Sequence, residues 1–381
     1  MSNFKKGTRT FSLTGKLRIT NNTFNIDKQK DGSNYIYSNA NLSLDCGNGN
    51  VFCNLVGGHF LTGKNVIYAL GVKEEDGRVR TDYKKQMQIE FENRFDESVL
   101  KNVSQDSFVI FNIEKDADNK FISKRFLAKE DAVKYLQSVL TDGMVLNISG
   151  DISFRVDNEG KTLFTLNIKR IYLNEKENPT LHSNFTLAVL SDINSYDSAD
   201  VADENGLIDL SCYVTEYMKE YKGLEKAIVP LPFTISLDTH NENWKKIIHE
   251  YFRPQPKYVA ETVIEGNIVS YGNLQTVTLE DQSEDVKQLV EFGILSVDEL
   301  AKVGTNNNSL VQKLVFTRPY MSMQDGKIAI MCDKEKYELA DIEFINNSVP
   351  TKSNSENVKS NPTSETVDKA EDDLFAELFG N

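Results

Sequence analysis

The chain contains few cysteine, proline and tryptophan residues. Its 381 residues include four Cys, eight Pro and one Trp. The cysteines, Cys46, Cys53, Cys212 and Cys332, are too few and too scattered for a disulfide-stabilised fold in a chain of this length. They are typical of a reducing compartment, so we expect the protein in the cytoplasm.

Long apolar runs are also missing. No uninterrupted apolar stretch reaches the roughly 18 residues that a membrane-spanning helix needs. The first residues, MSNFKKGTRTFSLTGKL, lack the apolar segment of a secretory signal. An apolar content of 39%, with 21 Phe and 15 Tyr, is enough for two or three folded domains of about 100–200 residues each.

The net charge of −14 argues at first against nucleic-acid binding, but this charge is unevenly distributed. Residues 1–175 carry 25 Lys and Arg against 22 Asp and Glu, a net charge of +3. Residues 176–349 carry 15 against 28, a net charge of −13, and residues 350–381 carry 3 against 7. We therefore expect a polyanion to bind the first half, through a local patch.

Residues 131–173 give the clearest structural signal in the chain. Ala132, Leu136, Val139 and Leu140 share one helical face. The sequence Asp142-Gly143 then predicts the end of that helix. Alternating apolar residues follow on both sides of the DNEG turn at 157–160, which predicts two strands, and the mid-strand Gly150 indicates a bend in a small barrel.

This order resembles the end of the oligonucleotide-binding (OB) barrel of bacterial and phage single-stranded DNA-binding proteins. The matching residues are Leu136, Gly143, Ile148, Gly150 and Ile152. Upstream, FSLTGKLRIT, NVFCNLVGG, NVIYALGV, KQMQIEFEN and SFVIFNIE are typical of strands. That is more strand than a minimal barrel needs, so we expect insertions.

The same pattern recurs in the second half. NWKKIIHEYFRP places Trp244, Ile247, Ile248, Tyr251 and Phe252 on one helical face, and Pro254 ends it. The sequence Ile-Glu-Gly-Asn-Ile at 264–268 then repeats the Ile-x-Gly-x-Ile signature. A second OB-like barrel and a chance repeat both fit this signature, and we adopt the second barrel. Residues 284–304, with a capping box at 296–299, predict two short helices that extend it.

GHFLTGKN at 58–65 is close to a phosphate-binding P-loop. Gly58, Gly63 and Lys64 have the required spacing, but Asn65 replaces the hydroxyl residue that would hold magnesium. The following VIYALGV predicts a strand where a P-loop needs a helix. We therefore expect a β-hairpin turn here and no nucleotide hydrolysis.

Cys46, Cys53 and His59 lie close in sequence but lack the paired spacing of a structural zinc site. We expect buried thiols instead. The four histidines show no nucleophile elbow and no HExxH spacing. The sequence thus predicts a protein that is not an enzyme, with no cofactor and no metal.

Basic and aromatic residues alternate in the first half, in residues 78–95 and in the final hairpin. Single strands are held this way, because cations follow the phosphates and aromatic faces stack on bases. Phe91 follows Ile89 in an alternating strand, so we expect it to face the core instead. The candidate DNA-binding residues are Arg78, Arg80, Tyr83, Lys84, Lys85, Arg94, Phe95, Arg155, Lys161, Lys169, Arg170 and Tyr172.

The C-terminal residues EDDLFAELFGN follow a polar stretch at 350–371 that predicts a disordered linker. Helical spacing places Leu374, Phe375, Leu378 and Phe379 on one face, behind Asp372 and Asp373. In the family that this chain resembles, such a tip recruits replication, recombination and repair enzymes and competes with DNA. This chain lacks the usual terminal Pro-Phe, which favours a helix-in-groove mode over capture of the terminal carboxylate.

The sequence as a whole predicts a mainly β protein with two OB-like five-stranded barrels, short helices and a disordered acidic tail. We expect a single-stranded DNA-binding domain at 1–175, an acidic OB-like domain at 176–349, a linker at 350–370 and an interaction tip at 371–381. The resemblance implies protection of DNA in replication or recombination, in a phage-infected host cytoplasm given the unusual size. The alternative is a non-enzymatic interaction protein, such as a virion component or a DNA-mimicking regulator.

Overall fold

The structure, a computed structural model, describes residues 4–29, 32–193, 195, 206–240, 242–271, 283–292 and 311–347. The strands in these ranges are β1 (Arg9–Arg18), β2 (Phe24–Gln29), β3 (Tyr35–Asp45), β4 (Asn50–Phe60), β5 (Val66–Glu75), β6 (Arg78–Glu90), β7 (Val109–Asn112), β8 (Lys124–Phe126), β9 (Val145–Val156), β10 (Thr162–Leu173), β11 (His182–Ser191), β12 (Leu207–Tyr221), β13 (Leu224–Asp238), β14 (Tyr258–Tyr271), β15 (Val311–Pro319), β16 (Met321–Gln324), β17 (Lys327–Ile330) and β18 (Cys332–Glu338). The α-helices are α1 (Glu97–Leu100), α2 (Lys129–Val139), α3 (Trp244–Tyr251), α4 (Glu284–Glu291) and α5 (Leu339–Asn347). The mainly β fold is confirmed.

Five strands in the N-terminal part close a barrel. β1 pairs with β3 and β9, β3 pairs with β4, and β10 pairs with β9 and β4. The β4–β10 contact, at Asn54 and Asn167, is parallel, and the other four are antiparallel. This closed circuit, with α2 between its third and fourth strands, is the arrangement of the OB fold.

The predicted helix and hairpin at the end of this barrel are confirmed. α2 buries Ala132, Val133 and Leu136 in the core. β9 then alternates strictly, with Leu146, Ile148, Ile152 and Phe154 buried. The predicted insertions are also present, because residues 61–128 add β5–β6, α1 and β7–β8 between the third barrel strand and α2.

A second circuit of five strands has the same connections. β11 pairs with β12 and β14, β12 pairs with β13, and β15 pairs with β14 and, in parallel, with β13. The predicted helix α3 lies between β13 and β14 and buries Ile248. The second barrel that the repeated signature predicted is therefore present.

The two barrels share their register as well as their order. In the first, Phe11 lies opposite Gly150; in the second, Phe185 lies opposite Gly266. A Cβ at Gly150 would be 1.9 Å from the carbonyl oxygen of Asn167, and one at Gly266 would be 2.0 Å from that of Val315. Both repeated glycines are needed because a neighbouring backbone approaches them this closely.

The barrels join through their first strands. β1 and β11 pair in antiparallel fashion, with Phe11 opposite its counterpart Phe185. The barrels are therefore related by a local two-fold axis at this pair. The apolar core is continuous across the joint and extends from Phe11 to Phe316.

Two local features differ from the prediction. The sequence pattern does not predict β3, because Ser38, Asn39 and Asn41 interrupt its apolar residues. The P-loop-like segment does lead into a strand, but its two flanking strands do not form a hairpin, because β4 pairs with β3 whereas β5 pairs with β6. The amide of Asn65 closes the loop on the backbone of Phe60. The predicted capping box at 296–299 lies outside the described residues.

Candidate nucleic-acid interface

A cleft of about 900 Å³ lies between the two barrels. Its walls are the outer faces of β4 and β10 from the first barrel and of β12, β13 and β15 from the second. In OB folds the face of the second and third strands is the one that binds oligonucleotides. The aromatic and cationic residues that line the cleft are Phe52, Phe164, Tyr213, Phe233, Arg155, Lys161 and Lys313.

The β9–β10 hairpin reaches across the second barrel and places two predicted residues in this cleft. Phe154 and Phe164, one from each strand of the hairpin, pack edge-to-face on Phe233 of β13, with ring centroids 5.1 and 6.1 Å apart. These contacts fix the hairpin against the second barrel. Arg155 and Lys161, on either side of its turn, line the cleft as a result.

The cleft carries acidic groups as well, but their oxygens are engaged. Asp209 accepts a 2.6 Å hydrogen bond from Ser236 and lies 3.4 Å from the ammonium of Lys313. Asp192 accepts a 3.2 Å hydrogen bond from the hydroxyl of Tyr213. Burial lowers the pKa of the Arg155 guanidinium from its usual value, and the charge of Asp157 acts in the opposite direction.

A second group of predicted residues protrudes from the β5–β6 hairpin. Leu70 pairs with Gln86 and Gly71 with Asp82, so three residues of β6 form a bulge. The bulge consists of Tyr83, Lys84 and Lys85. Tyr83 is 77% exposed, both lysines are exposed, and the Lys85 side chain lies over Gly71. Arg78 and Arg80 are exposed near the hairpin turn, and Arg80 lies 3.8 Å from Glu75.

Arg94 occupies a more enclosed position. Its guanidinium lies 2.6 Å from Asp131 at the start of α2 and stacks over the rings of Phe91 and Phe95, at 3.8 and 4.5 Å. Phe91 stacks in turn on His59. Arg94 therefore anchors the insertion to the barrel, whereas the ring of Phe95 is 61% exposed.

The remaining predicted residues lie at the end of β10, where the strand has a bulge at Lys169. Lys169 forms an ion pair with Asp151. Arg170 is exposed and lies opposite Ser149 on β9 and Ile110 on β7. Tyr172, two residues further, is exposed on the same face.

The predicted residues thus occupy four places rather than one. Arg155 and Lys161 line the cleft, whereas the bulge on β6, the Arg94 cluster and the end of β10 are separate. Sequence analysis missed the contributions of Phe52, Phe233 and Lys313, because strands distant in sequence bring them together. The tip residues Asp372, Asp373, Leu374, Phe375, Leu378 and Phe379 lie outside the described residues.

The cysteines are structural in character. Cys46 and Cys53 are buried in the first barrel, as predicted, and burial raises the pKa of the Cys46 thiol to about 12. His59 hydrogen-bonds to the buried carboxylate of Glu130, at 2.9 Å. In the ranges that the structure describes, no three His, Cys, Asp or Glu side chains are grouped closely enough to hold a metal ion. Within the same ranges, no helix combines the length and the apolar character of a membrane span.

Comparison with known proteins gives weak similarities. No protein-family model and no curated protein matches the chain. The chain is similar to the solved structure of the wild-type single-stranded DNA binding protein from Thermus aquaticus, with a TM-score of 0.31 and 9% identity over 85% of this chain and 98% of that one. A deletion mutant of that protein gives the same TM-score and identity over 84% and 99%. A TM-score of 0.31 is too low to assign a fold, so the OB assignment rests on the strand pairing.

Proposed function

We propose that this protein binds single-stranded DNA without strong sequence preference. The observation that carries the proposal is the cleft, where Phe52, Tyr213 and Phe233 lie on second or third barrel strands and the cations Arg155 and Lys161 flank the turn between the fourth and fifth strands. These strands and this turn are the parts of an OB fold that bind oligonucleotides. Cations in such a cleft would follow the phosphates. Each base stacked on an aromatic side chain would contribute about 1–3 kcal/mol.

Two other cationic groups lie apart from the cleft on the first barrel and would make additional contacts to a longer strand. The exposed Tyr83, Lys84 and Lys85 offer one stacking surface and two phosphate contacts. Arg170 and Tyr172 offer a similar combination at the end of β10. We assign DNA binding mainly to residues 1–175, with the acidic residues 176–349 bracing them and closing the cleft.

The biological role follows from the same proposal. The protein would protect single-stranded DNA during replication or recombination, in a phage system, and the tip at 371–381 would recruit partner enzymes beyond the linker at 350–370. The tip is acidic and would compete with DNA for the cationic surface. Removing it should therefore strengthen DNA binding.

Fluorescence anisotropy of a labelled oligo-dT across a salt series tests the proposal. Affinity should fall with salt, and Arg155→Ala with Lys161→Ala should weaken binding about tenfold and reduce the salt slope by about 1.4, since each phosphate contact contributes about 0.7. Lys101→Ala with Lys120→Ala removes the same charge from exposed positions outside the cleft and should change affinity less than about twofold.

A chain ending at Val349 should bind oligo-dT more tightly than the full chain. If neither chain binds at low salt, the DNA-binding proposal is wrong. The second candidate, a non-enzymatic interaction protein such as a virion component or a DNA mimic, would then be preferred. The net charge of −13 in residues 176–349 favours that candidate.

A further inference from the structure

The hairpin β16–β17 carries an exposed apolar face. Met321 pairs with Ile330 and Met323 pairs with Ile328, so these four side chains lie on the same side. All four are exposed, Met323 at 68% and Ile328 at 72%. The opposite side carries Ser322, Gln324 and Lys327, among others, and this makes the hairpin amphipathic.

Such a hairpin needs a cover for its apolar side. The two strands pair with each other and form a separate sheet, and a two-stranded hairpin alone is marginally stable in water. Its base is fixed on β14, where the backbone of Val263 bonds to Tyr320 at 2.8 Å and to Met331 at 2.9 Å. Four exposed apolar side chains on one side of a hairpin with a fixed base are typical of a docking site.

We propose that the C-terminal tip of the same chain, residues 371–381, docks on this face. Leu374, Phe375, Leu378 and Phe379 would form one helical face with four apolar anchors, matching the four aliphatic side chains of the hairpin. Methionine suits such a surface, because its flexible thioether adapts to aromatic rings and contacts them favourably.

The length of the intervening chain permits this docking. β18 leaves the hairpin base and runs along β14 for seven residues, about 20 Å, before α5 begins. α5 packs on the barrel through Ile342 and Ile345, and the chain continues after Asn347. Residues 348–370 number 23, and a chain of that length has an average end-to-end distance of about 25–30 Å in solution. This exceeds the roughly 20 Å that β18 covers and gives a millimolar effective concentration.

Charge also favours this surface over the rest of the second barrel. Residues 371–381 contain four acidic and no basic residues. The hairpin is neutral, with Asp325 balanced by Lys327, whereas residues 176–349 as a whole have a net charge of −13. The acidic residues of the tip therefore meet a neutral surface, without the repulsion that the net negative charge of this barrel would otherwise exert on them.

Docking would hold the tip away from partner enzymes until one of them displaces it, and only the undocked tip would compete with DNA for the cationic cleft. The proposal does not depend on DNA binding, because an apolar contact within one chain needs no DNA. It predicts that Met323 and Ile328, which have no role in the cleft, control access to the tip.

Photo-crosslinking in the full chain tests the proposal. Phe375 is replaced by the crosslinking analogue p-benzoylphenylalanine, and the products are mapped by mass spectrometry in the absence of DNA. We expect crosslinks within the same chain to residues 321–331, with a yield that stays constant over a hundredfold dilution. Met323→Ser with Ile328→Ser should lower that yield at least fivefold.

Val79→Ser is the matched control. Val79 is 71% exposed on another hairpin, where it lies between Arg78 and Arg80, and its replacement should leave the yield unchanged. Crosslinks that increase with protein concentration would overturn the proposal in favour of docking on a second copy. The absence of crosslinks, crosslinks to the cleft with none to the hairpin, or a yield that the hairpin variant does not change would also overturn it.

Discussion

The two barrels have the same backbone but different surfaces. Each has an aromatic residue opposite a glycine, and in each the fifth strand has a bulge, at Lys169 in the first barrel and Thr317 in the second. In both barrels an arginine follows the bulge, Arg170 in one and Arg318 in the other. These shared features are the positions where strands meet closely, so they are the ones that the fold constrains.

The residue opposite that arginine differs. Arg318 lies opposite Glu265 and forms a 2.6 Å ion pair with it. Arg170 lies opposite Ser149 and, among the described residues, forms no ion pair. In the second barrel, the Glu265 carboxylate thus neutralises Arg318. In the first barrel, the neutral Ser149 lies at the same position, and Arg170 remains available to a phosphate. The outward-facing residues of the two barrels therefore differ, whereas their strand pairing is the same. The net charges agree with this difference, at +3 for residues 1–175 and −13 for residues 176–349.

The largest effect should come from the shared glycines. Gly150→Ala and Gly266→Ala each place a Cβ within about 2 Å of a backbone oxygen, and this contact forces the strands apart. We expect each variant to lose about 3 kcal/mol of unfolding free energy, measured by urea titration followed by circular dichroism.

Gly160→Ala is the control for these two variants. Gly160 lies in the β9–β10 turn at φ +82°, with no atom within 4 Å of the added Cβ. The Gly160→Ala variant should lose only about 1 kcal/mol of unfolding free energy, because the added Cβ strains the backbone but contacts no other atom. A large loss at one of the two barrel glycines and a small loss at the other would contradict the equivalence of the barrels.

The next effect concerns Glu216, whose buried side chain on β12 links the two barrels. Its carboxylate forms one ion pair with Lys6, at 2.7 Å, and another with Arg9. It also accepts a 3.1 Å hydrogen bond from the backbone N–H of Phe154. Burial alone would raise its pKa, but the hydrogen bond from Lys6 and the charges of Arg9 and Lys6 outweigh burial and lower the pKa. The stabilisation is therefore present above the unfolded pKa of about 4.3 and is lost as the pH falls through the lower folded value.

Glu216→Gln should accordingly lose about 2–3 kcal/mol of unfolding free energy at pH 7. The difference in unfolding free energy between this variant and the unmodified chain should become smaller as the pH falls below about 4. Urea titrations at several pH values measure it. Glu159→Gln, at an exposed position in the β9–β10 turn, should have little effect at any pH. A difference independent of pH would mean that the carboxylate charge is not the source of the stability.

Sequence patterns predicted the helices and strands whose side chains alternate regularly along one short stretch of the chain. Helical and alternating periodicity identified α2, β9 and β10, and the repeated Ile-x-Gly-x-Ile identified the second barrel because a close backbone contact requires that glycine. The cleft could not be predicted, because Phe52 and Phe233 come from different barrels and line one cleft only after both barrels have formed. The sequence predicts Arg94 as a DNA contact, but the turn after β6 places its guanidinium against Asp131.

The arginines after the two bulges should differ in DNA binding by a smaller amount. Arg170→Ala should weaken oligo-dT binding about fivefold and reduce the salt slope by about 0.7, because one phosphate contact is lost. Arg318→Ala should change affinity less than about twofold, since Glu265 already neutralises that side chain. Anisotropy titrations across a salt series compare the two variants. Equal effects would show that the ion pair does not distinguish the barrels.

The smallest effect on DNA binding should follow from placing in the first barrel the carboxylate that the second barrel has beside its arginine. Ser149→Glu places a carboxylate opposite Arg170, as Glu265 lies opposite Arg318, and should weaken oligo-dT binding about threefold while Arg170 itself is retained. Ser149→Asn keeps the position polar and neutral and should bind as the unmodified chain does. Because no cation is removed, a weaker affinity and a lower salt slope in Ser149→Glu alone would identify neutralisation of Arg170 as the cause. An unchanged salt slope in that variant would mean that Arg170 contacts no phosphate, and the DNA path would then be restricted to the cleft and the bulge on β6.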